Sequence, residues 1–282
     1  MSRLTWLRRS RRLASVIVVA ALSVVAGGVA LAATGPAIHT ITPHSAGQIT
    51  NIDVLRQQIR NYYGDPLGTG VFADASNYAR EARSVAAEGE RWLAGRAHPH
   101  ARSGMKAIVL DVDDTTLATW NYEISSNWAY NSTTNGLYVN GELFPAVPGM
   151  VEMVNEAAHE GYAIIFITGR PAAQEAVTLG NLTASDKIGL DAGYPTPTTL
   201  NDGEDGLFTK PLVANYPAYL QAACAGDPNG ACTTIHYKSA TRAHIESLGY
   251  DIVADFGDQF SDFTGGFADR TFKLPNPNYF LP

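Results

Sequence analysis

The eleven residues KAIVLDVDDTT, at positions 106–116, constrain this chain more than any other stretch. Ala107, Ile108, Val109 and Leu110 form a short apolar run of the kind buried on both faces of a parallel sheet. The run stops at charge: Asp111, Asp113 and Asp114 follow at once, then Thr115 and Thr116, with no basic residue close behind. Carboxylates gathered at the carboxyl end of a strand are costly unless a cation offsets them, and in open α/β sheets that end is where ligands bind. Hard oxygen ligands of this kind select Mg²⁺, which leaves coordination positions for water and phosphate oxygens. Taken alone, the same acids also fit an Asp-rich turn closing a strand.

The N-terminus reads as a separate segment. Arg3, Arg8, Arg9, Arg11 and Arg12 precede an uncharged apolar run at residues 13–33 that contains Ala30-Leu31-Ala32. This is the layout of an export signal cleaved after residue 32, with an uncleaved membrane anchor as the alternative. Removing residues 1–32 removes five Arg and no acid, leaving 15 basic against 27 acidic residues and a net charge of −12. Such a chain is a poor partner for nucleic acid but can still bind a small anion where a metal and a few cations are focused. The expectation is therefore a secreted, extracytoplasmic protein with no stable membrane anchor after cleavage. The two cysteines, Cys224 and Cys232, flank AGDPNGA, and in an exported chain a pair so close is expected to form a disulfide.

Residues 33–45 read as a flexible lead-in to a domain at residues 46–282. Ile52, Leu55, Ile59 and Tyr62 recur at helical spacing, and Tyr78, Ala82, Val85, Trp92 and Leu93 mark a second helix, giving a helical hairpin within residues 46–97. Residues 118–146 read as a cap inserted over the acidic strand end. Its two Asn-Gly steps, Asn135-Gly136 and Asn140-Gly141, predict a β-hairpin there. A helix opening near Met150, ended by Gly161, leads to a second buried strand, YAIIFI, at residues 162–167. That alternation predicts a parallel sheet with helices on both faces. Residues 189–209 read as a surface connection, Ile235-His236-Tyr237 as a short strand, residues 240–248 as a helix, residues 251–256 as a strand, and the chain from Thr271 as one more strand and a Pro-stiffened tail.

Three further segments sit where a strand stops or a helix starts. Thr168-Gly169-Arg170 follows the second strand and precedes a helix, so its amides and hydroxyl suit a phosphate at a helix N-terminus. Lys238 stands before a helix expected to begin near Ser239, and Gly257-Asp258-Gln259-Phe260-Ser261-Asp262 follows the strand at residues 251–256. Singly these read as a cap, a surface lysine and a turn.

In this order, DVDDTT, FITGR, the lysine before a helix and GDQFSD resemble the four-motif pattern of the haloacid dehalogenase superfamily. Within it, YKSATR, GDQFSD and the tail KLPNPNYFLP resemble the secreted acid phosphatase branch, which includes bacterial acid phosphatases and plant vegetative storage proteins. Relatives commonly carry Asp-Glu-Thr where this chain has Asp113-Asp114-Thr115. The resemblance implies a Rossmann-like three-layer α/β/α domain with a parallel central sheet and a small cap after the first catalytic strand. It also implies an acid phosphatase acting on small phosphate monoesters. Asp111 would be the nucleophile, Asp113 the general acid and base, and Lys238 the charge-offsetting cation; Thr168, Gly169 and Arg170 would hold the phosphoryl group. Mg²⁺ would be bound by Asp111, the backbone carbonyl of Asp113 and Asp258, with Asp262 ligating through water or positioning the loop. A dehalogenase needs neither the metal nor an acid at the Asp113 position. Phosphotransfer to an alcohol and a non-catalytic storage or binding protein of the same fold remain as alternatives.

Overall fold

The computed structural model describes residues 42–96 and 104–281. The expected export signal, residues 1–32, lies outside them, as do residues 33–41 of the expected lead-in. Among the described residues no helix is long and apolar enough to cross a membrane.

Two helices open the fold, α1 (Ile52–Tyr62) and α2 (Asn77–Leu93), with N-caps Asn51 and Ser76 accepting amide hydrogen bonds from their first turns. The helices and strands that follow alternate: β1 (Met105–Leu110), α3 (Trp120–Ser126), α4 (Ser132–Asn140), α5 (Met150–Glu160), β2 (Ala163–Pro171), α6 (Glu175–Thr183) and β3 (Leu207–Lys210). After them come α7 (Ala218–Ala223), α8 (Thr234–Ser247), β4 (Tyr250–Gly257), α9 (Phe260–Phe263) and β5 (Thr271–Lys273). The five strands form one sheet in the order β3-β2-β1-β4-β5, and every neighbouring pair is parallel. From β1 the chain winds to β2 and β3 on one side, then returns to place β4 and β5 on the other. The crevice for a ligand in such a sheet lies at that reversal, beside the carboxyl end of β1.

Strand periodicity divides the core. Ile108 and Leu110 of β1 join Ala82, Ala86, Met150, Met153 and Val154 on the face covered by α2 and α5. Ala107 and Val109 join Leu220, Tyr237 and Ile245 on the face covered by α7 and α8. The sequence run is uniformly apolar because both faces are buried, which makes three α/β/α layers. At Gly89 the layers touch: a Cβ there would lie 2.6 Å from Phe256 Cε1, so only glycine lets α2 pack this closely on β4. Cys224 and Cys232 are bridged and both buried on the α7 and α8 side.

The segment between β1 and α5 is helical, which corrects the expected β-hairpin. Asn135 and Gly136 lie inside α4, where Asn131 caps the helix by accepting from the amides of Thr133 and Thr134, and neither residue has the positive φ that an Asn-Gly hairpin turn needs. Val139 is buried, and Tyr138 packs against Phe144. The expected strand at Ile235-His236-Tyr237 is the first turn of α8, capped by the Thr233 hydroxyl accepting from the His236 amide, so the helix starts before Lys238 instead of after it. Within the expected connection at residues 189–209, Leu207 to Thr209 are buried in an edge strand. In α1, Ile52 and Leu55 stay exposed, while Ile59 and Tyr62 pack on a cluster of Tyr63, Tyr78 and Trp120 in which the Tyr63 and Trp120 rings stack at 4.1 Å. That stack ties α1 and α2 to α3.

Candidate active site

The site forms where β1, β2 and β4 end side by side. Asp111 is the first residue past β1, and its amide still donates to the Phe256 carbonyl of β4 at 2.9 Å, so the sheet itself fixes its backbone. The next residues fold back sharply. Asp114 adopts φ 56, and its carboxylate accepts from the Thr119 amide at 2.9 Å and the Thr119 hydroxyl at 2.6 Å. These bonds turn the acidic loop into the start of α3. Burial pushes the Asp114 carboxyl up to about 7 against the pull of those two bonds.

On the neighbouring strand, β4 ends at Gly257, and Asp258 and Asp262 follow. A Cβ on Gly257 would lie 2.4 Å from Asp262 Oδ2, so glycine is what allows α9 to fold Asp262 back over the strand end. The Gln259 amide donates to Asp262 Oδ2 at 2.8 Å and locks that turn. Lys238, on α8 and 4% exposed, reaches between the two strand ends and donates to Asp111 Oδ1 and, at 2.6 Å, to Asp262 Oδ1. Burial works against its charge, but the two carboxylates more than offset this and hold the ammonium above its ordinary range. Asp111 is raised well above the usual carboxylate range by burial first; Lys238 opposes this, and Asp262, Asp258 and Asp113 add to it. Asp258 is pushed up to about 8 by burial and by Asp262 and Asp114, although Asn276 and Gln259 donate to it, each at 2.6 Å.

Asp113 leans the other way, out of the strand-end cluster, with its side chain one-third exposed. Arg170 grips it: Nε lies 3.3 and 3.2 Å from the two carboxylate oxygens and Nη2 lies 2.7 Å from Oδ1. The guanidinium is steadied in turn by Thr178 Oγ1 at 3.1 Å and by the Phe144 ring, 5.4 Å from its centroid. This bidentate clamp fixes the direction of the Asp113 carboxylate.

Asp111, Asp113, Gly169, Arg170, Lys238, Asp258 and Asp262 all line one cavity of about 640 Å³, together with α3 and α4 residues and the tail at Tyr279 to Leu281. Of the residues given a site role from the sequence, Thr168 alone does not line it. Thr168 is fully buried, with its hydroxyl accepting from the Arg170 amide at 3.2 Å. β2 also runs on through Pro171 before α6 begins at Glu175, so Thr168-Gly169-Arg170 ends a strand and does not cap a helix directly, contrary to expectation. What the motifs did not reveal is the bracing role of Thr119 and of three residues inside the quoted runs, Gln259, Arg242 and Asn276. Arg242 is buried and donates to the carbonyls of Asp262, Thr264 and Gly266, holding the loop that follows Asp258 and carries Asp262. Asn276 stood in the Pro-stiffened tail, where its pattern carried no sign of a contact with Asp258.

The donor set fits a hard divalent cation. Asp111, Asp258 and Asp262 are all buried, and one carboxylate oxygen from each lies within 4.8 Å of the others. An all-oxygen cluster of three carboxylates, in direct contact with the Lys238 ammonium, is of the hard-ligand type that suits such a cation.

Residues 31–282 match the family model described as HAD superfamily, subfamily IIIB (Acid phosphatase). The chain belongs to that family. The Stem 28 kDa glycoprotein of Glycine max is 32% identical over 181 residues, covering 62% of this chain and 59% of that protein. The chain thus spans about three fifths of the length of that relative. Vegetative storage protein 1 of Arabidopsis thaliana is 26% identical over 239 residues, covering 83% of this chain and 74% of the relative. Among solved structures, the Class C acid phosphatase from Bacillus anthracis with tungstate bound shares the fold, with a TM-score of 0.55 at 19% identity over 80% of this chain and 86% of that one. This HAD subfamily IIIB chain therefore has an acid phosphatase fold.

Proposed function

We propose that this chain is a secreted, Mg²⁺-dependent phosphomonoesterase that works through an aspartyl-phosphate on Asp111. The observation that carries the reading is the pairing of two differently placed carboxylates two residues apart. Asp111 is buried at the floor with Lys238 on one oxygen, while Asp113 is one-third exposed and clamped by Arg170. Asp111 attacks phosphorus with its other oxygen as the bond to the leaving oxygen breaks, and Asp113 donates its proton to that oxygen. Asp113, now ionised, takes a proton from the water that attacks the acyl phosphate. The P–O bond to Asp111 breaks, inorganic phosphate leaves and both carboxyls return to their starting forms. Lys238 offsets negative charge on Asp111 and on the phosphoryl oxygens, the Gly169 amide holds those oxygens, and Thr168 braces that turn from beneath by accepting from the Arg170 amide. Arg170 keeps Asp113 aimed at the leaving group. Asp111, Asp258, Asp262 and the Asp113 carbonyl would hold Mg²⁺, which when bound neutralises charge on the transferring group.

The subfamily match and the acid phosphatase fold support this reading. Export is supported by the arginine-led apolar N-terminus and by the Cys224–Cys232 bridge. The likeness to a vegetative storage protein favours a second reading, a storage protein without turnover. The test is phosphate release from an aryl and an alkyl monoester. Release that stops in excess chelator and returns with Mg²⁺ is expected. No release from either ester with Mg²⁺ present would leave the storage reading.

A further inference from the structure

One buried acid in the cavity takes no part in that chemistry. Glu123 belongs to α3, is 8% exposed and lines the same cavity as Asp111 and Asp113. Among the described residues its carboxylate has no hydrogen bond and no ion pair. Its backbone is nevertheless held on both sides: the amide donates to Thr119 O at 3.1 Å, and the carbonyl accepts from the Trp128 amide at 3.0 Å. Thr119 is itself bonded to Asp114, so the Glu123 backbone is anchored through one short chain of hydrogen bonds to the loop that carries Asp111 and Asp113.

The cations of the cavity are already engaged. Lys238 is shared by Asp111 and Asp262, and Arg170 is spent on Asp113 and Thr178. Beyond the strand-end groups and Glu123, the cavity lining is uncharged and includes Trp128, Tyr130, Ser132, Asn135 and Gln174. Arg56 and Arg60 lie 5.9 and 5.8 Å from the Trp128 ring centroid but do not line the cavity. Glu123 is therefore a buried acid without a partner, facing the space that the leaving group of a bound monoester must fill. Burial first, and Asp113 second, push its carboxyl up to about 7, the signature of a charge with nothing to offset it.

A buried carboxylate is stabilised by a cation that can donate hydrogen bonds to it, and aromatic faces beside it add to the attraction. Resting on the phosphomonoesterase reading above, we propose that Glu123 selects the leaving group by charge, receiving the ammonium of phosphate monoesters of amino alcohols. The same group disfavours monoesters whose alcohol carries a second anion, since both cations among the described lining residues, Arg170 and Lys238, are already paired. The substrate class is thus a small alcohol bearing a primary amine, with the phosphoryl group at the strand ends and the amine at α3.

The experiment compares kcat/KM at pH 8 with Mg²⁺ for three kinds of ester: 2-aminoethyl and 3-aminopropyl phosphate, the uncharged ethyl and propyl phosphates, and phosphoglycolate. An aryl phosphate serves as the reference. At that pH Glu123 is ionised and the amines are protonated. The wild-type protein is expected to favour the better amino ester over its uncharged match by on the order of tenfold, mostly through KM, with phosphoglycolate slowest. In Glu123→Gln the amino-to-alkyl ratio should fall to about one and phosphoglycolate should gain on the alkyl esters, while Glu123→Asp should keep part of the preference. Because ratios within each variant are compared, a general loss of activity cancels. Aryl phosphate turnover with a wild-type amino-to-alkyl ratio below about two, or an unchanged ratio in Glu123→Gln, overturns this inference alone. Absence of aryl phosphate turnover overturns the phosphomonoesterase reading and this inference with it.

Discussion

Replacing Arg242 by methionine should unfold the protein at a markedly lower temperature. The side chain is 1% exposed and donates to Gly266 O and Thr264 O, each at 2.8 Å, and to Asp262 O. It is also the ion-pair partner of Asp255, 2% exposed, whose Oδ2 lies 3.3 Å away and has no hydrogen bond. Burial pushes the Asp255 carboxyl up to about 7, and Arg242 is the largest influence holding it down. Methionine fills most of the volume but leaves a buried acid and three carbonyls without their donor. Removing one partner of a buried pair costs about 3–5 kcal/mol, and a domain of this size loses roughly 2–4 °C per kcal/mol, so the melting temperature should fall by roughly 6–20 °C. Asp255→Asn added to Arg242→Met should recover part of that loss, because it removes the unpaired charge. Calorimetric melting of the wild type, Arg242→Met, Asp255→Asn and the double variant at pH 7.5 is the assay. A fall below about 3 °C for Arg242→Met, or no recovery in the double variant, would refute the claim that Arg242 is what makes the buried Asp255 tolerable.

Asp65 accepts from Thr69 N, Thr69 Oγ1, Gly70 N and Trp120 Nε1; burial opposes its charge, but these bonds win and hold the carboxyl below its ordinary 3.8. Its contribution is complete above that value and is lost as pH falls through the lower folded pKa, so Asp65→Asn should flatten the acid limb of a stability profile below about pH 4; identical limbs would contradict this. Reducing the Cys224–Cys232 bridge should cost about 2–3 kcal/mol in urea unfolding, as expected for a short closed loop. Two free thiols by mass analysis of the unreduced protein would contradict the bridge.

The sheet was legible because its strands are buried on both faces: β1, β2 and β4 are apolar runs broken by charge, and only such runs read the same from either side. β3 was not, since its four residues LFTK sit among Gly, Pro and Asp and take their strand form from pairing with β2. Asn135-Gly136 misled for a related reason. An Asn-Gly pair favours a turn locally, but capping by Asn131 and the packing of Val139 and Tyr138 outweighed that preference. Ile235 to Tyr237 was β-prone in isolation and is helical because Thr233 caps α8. In the site, acids adjacent to strand ends were visible because strand ends are visible. Arg170 appeared as a phosphate ligand, and its grip on Asp113 emerged only when β2 and β1 were placed side by side. Glu123 and Asn276 carried no pattern, since a lone acid on a short helix and an Asn in a tail look like surface residues until the chain folds Glu123 into the cavity wall and sets Asn276 against Asp258.

The most direct test of the account is to trap the intermediate. Asp113→Asn removes the base that activates water in the second step, while an aryl phosphate, with a leaving oxygen of low basicity, needs little protonation in the first. Acid-quenched Asp113→Asn exposed to an aryl phosphate and Mg²⁺ should carry one phosphoryl group, mapped to the peptide containing Asp111 and released by hydroxylamine as an acyl phosphate is. Equal loss of rate on aryl and alkyl esters, with no phosphorylated peptide, would contradict Asp111 as the nucleophile and Asp113 as its acid and base.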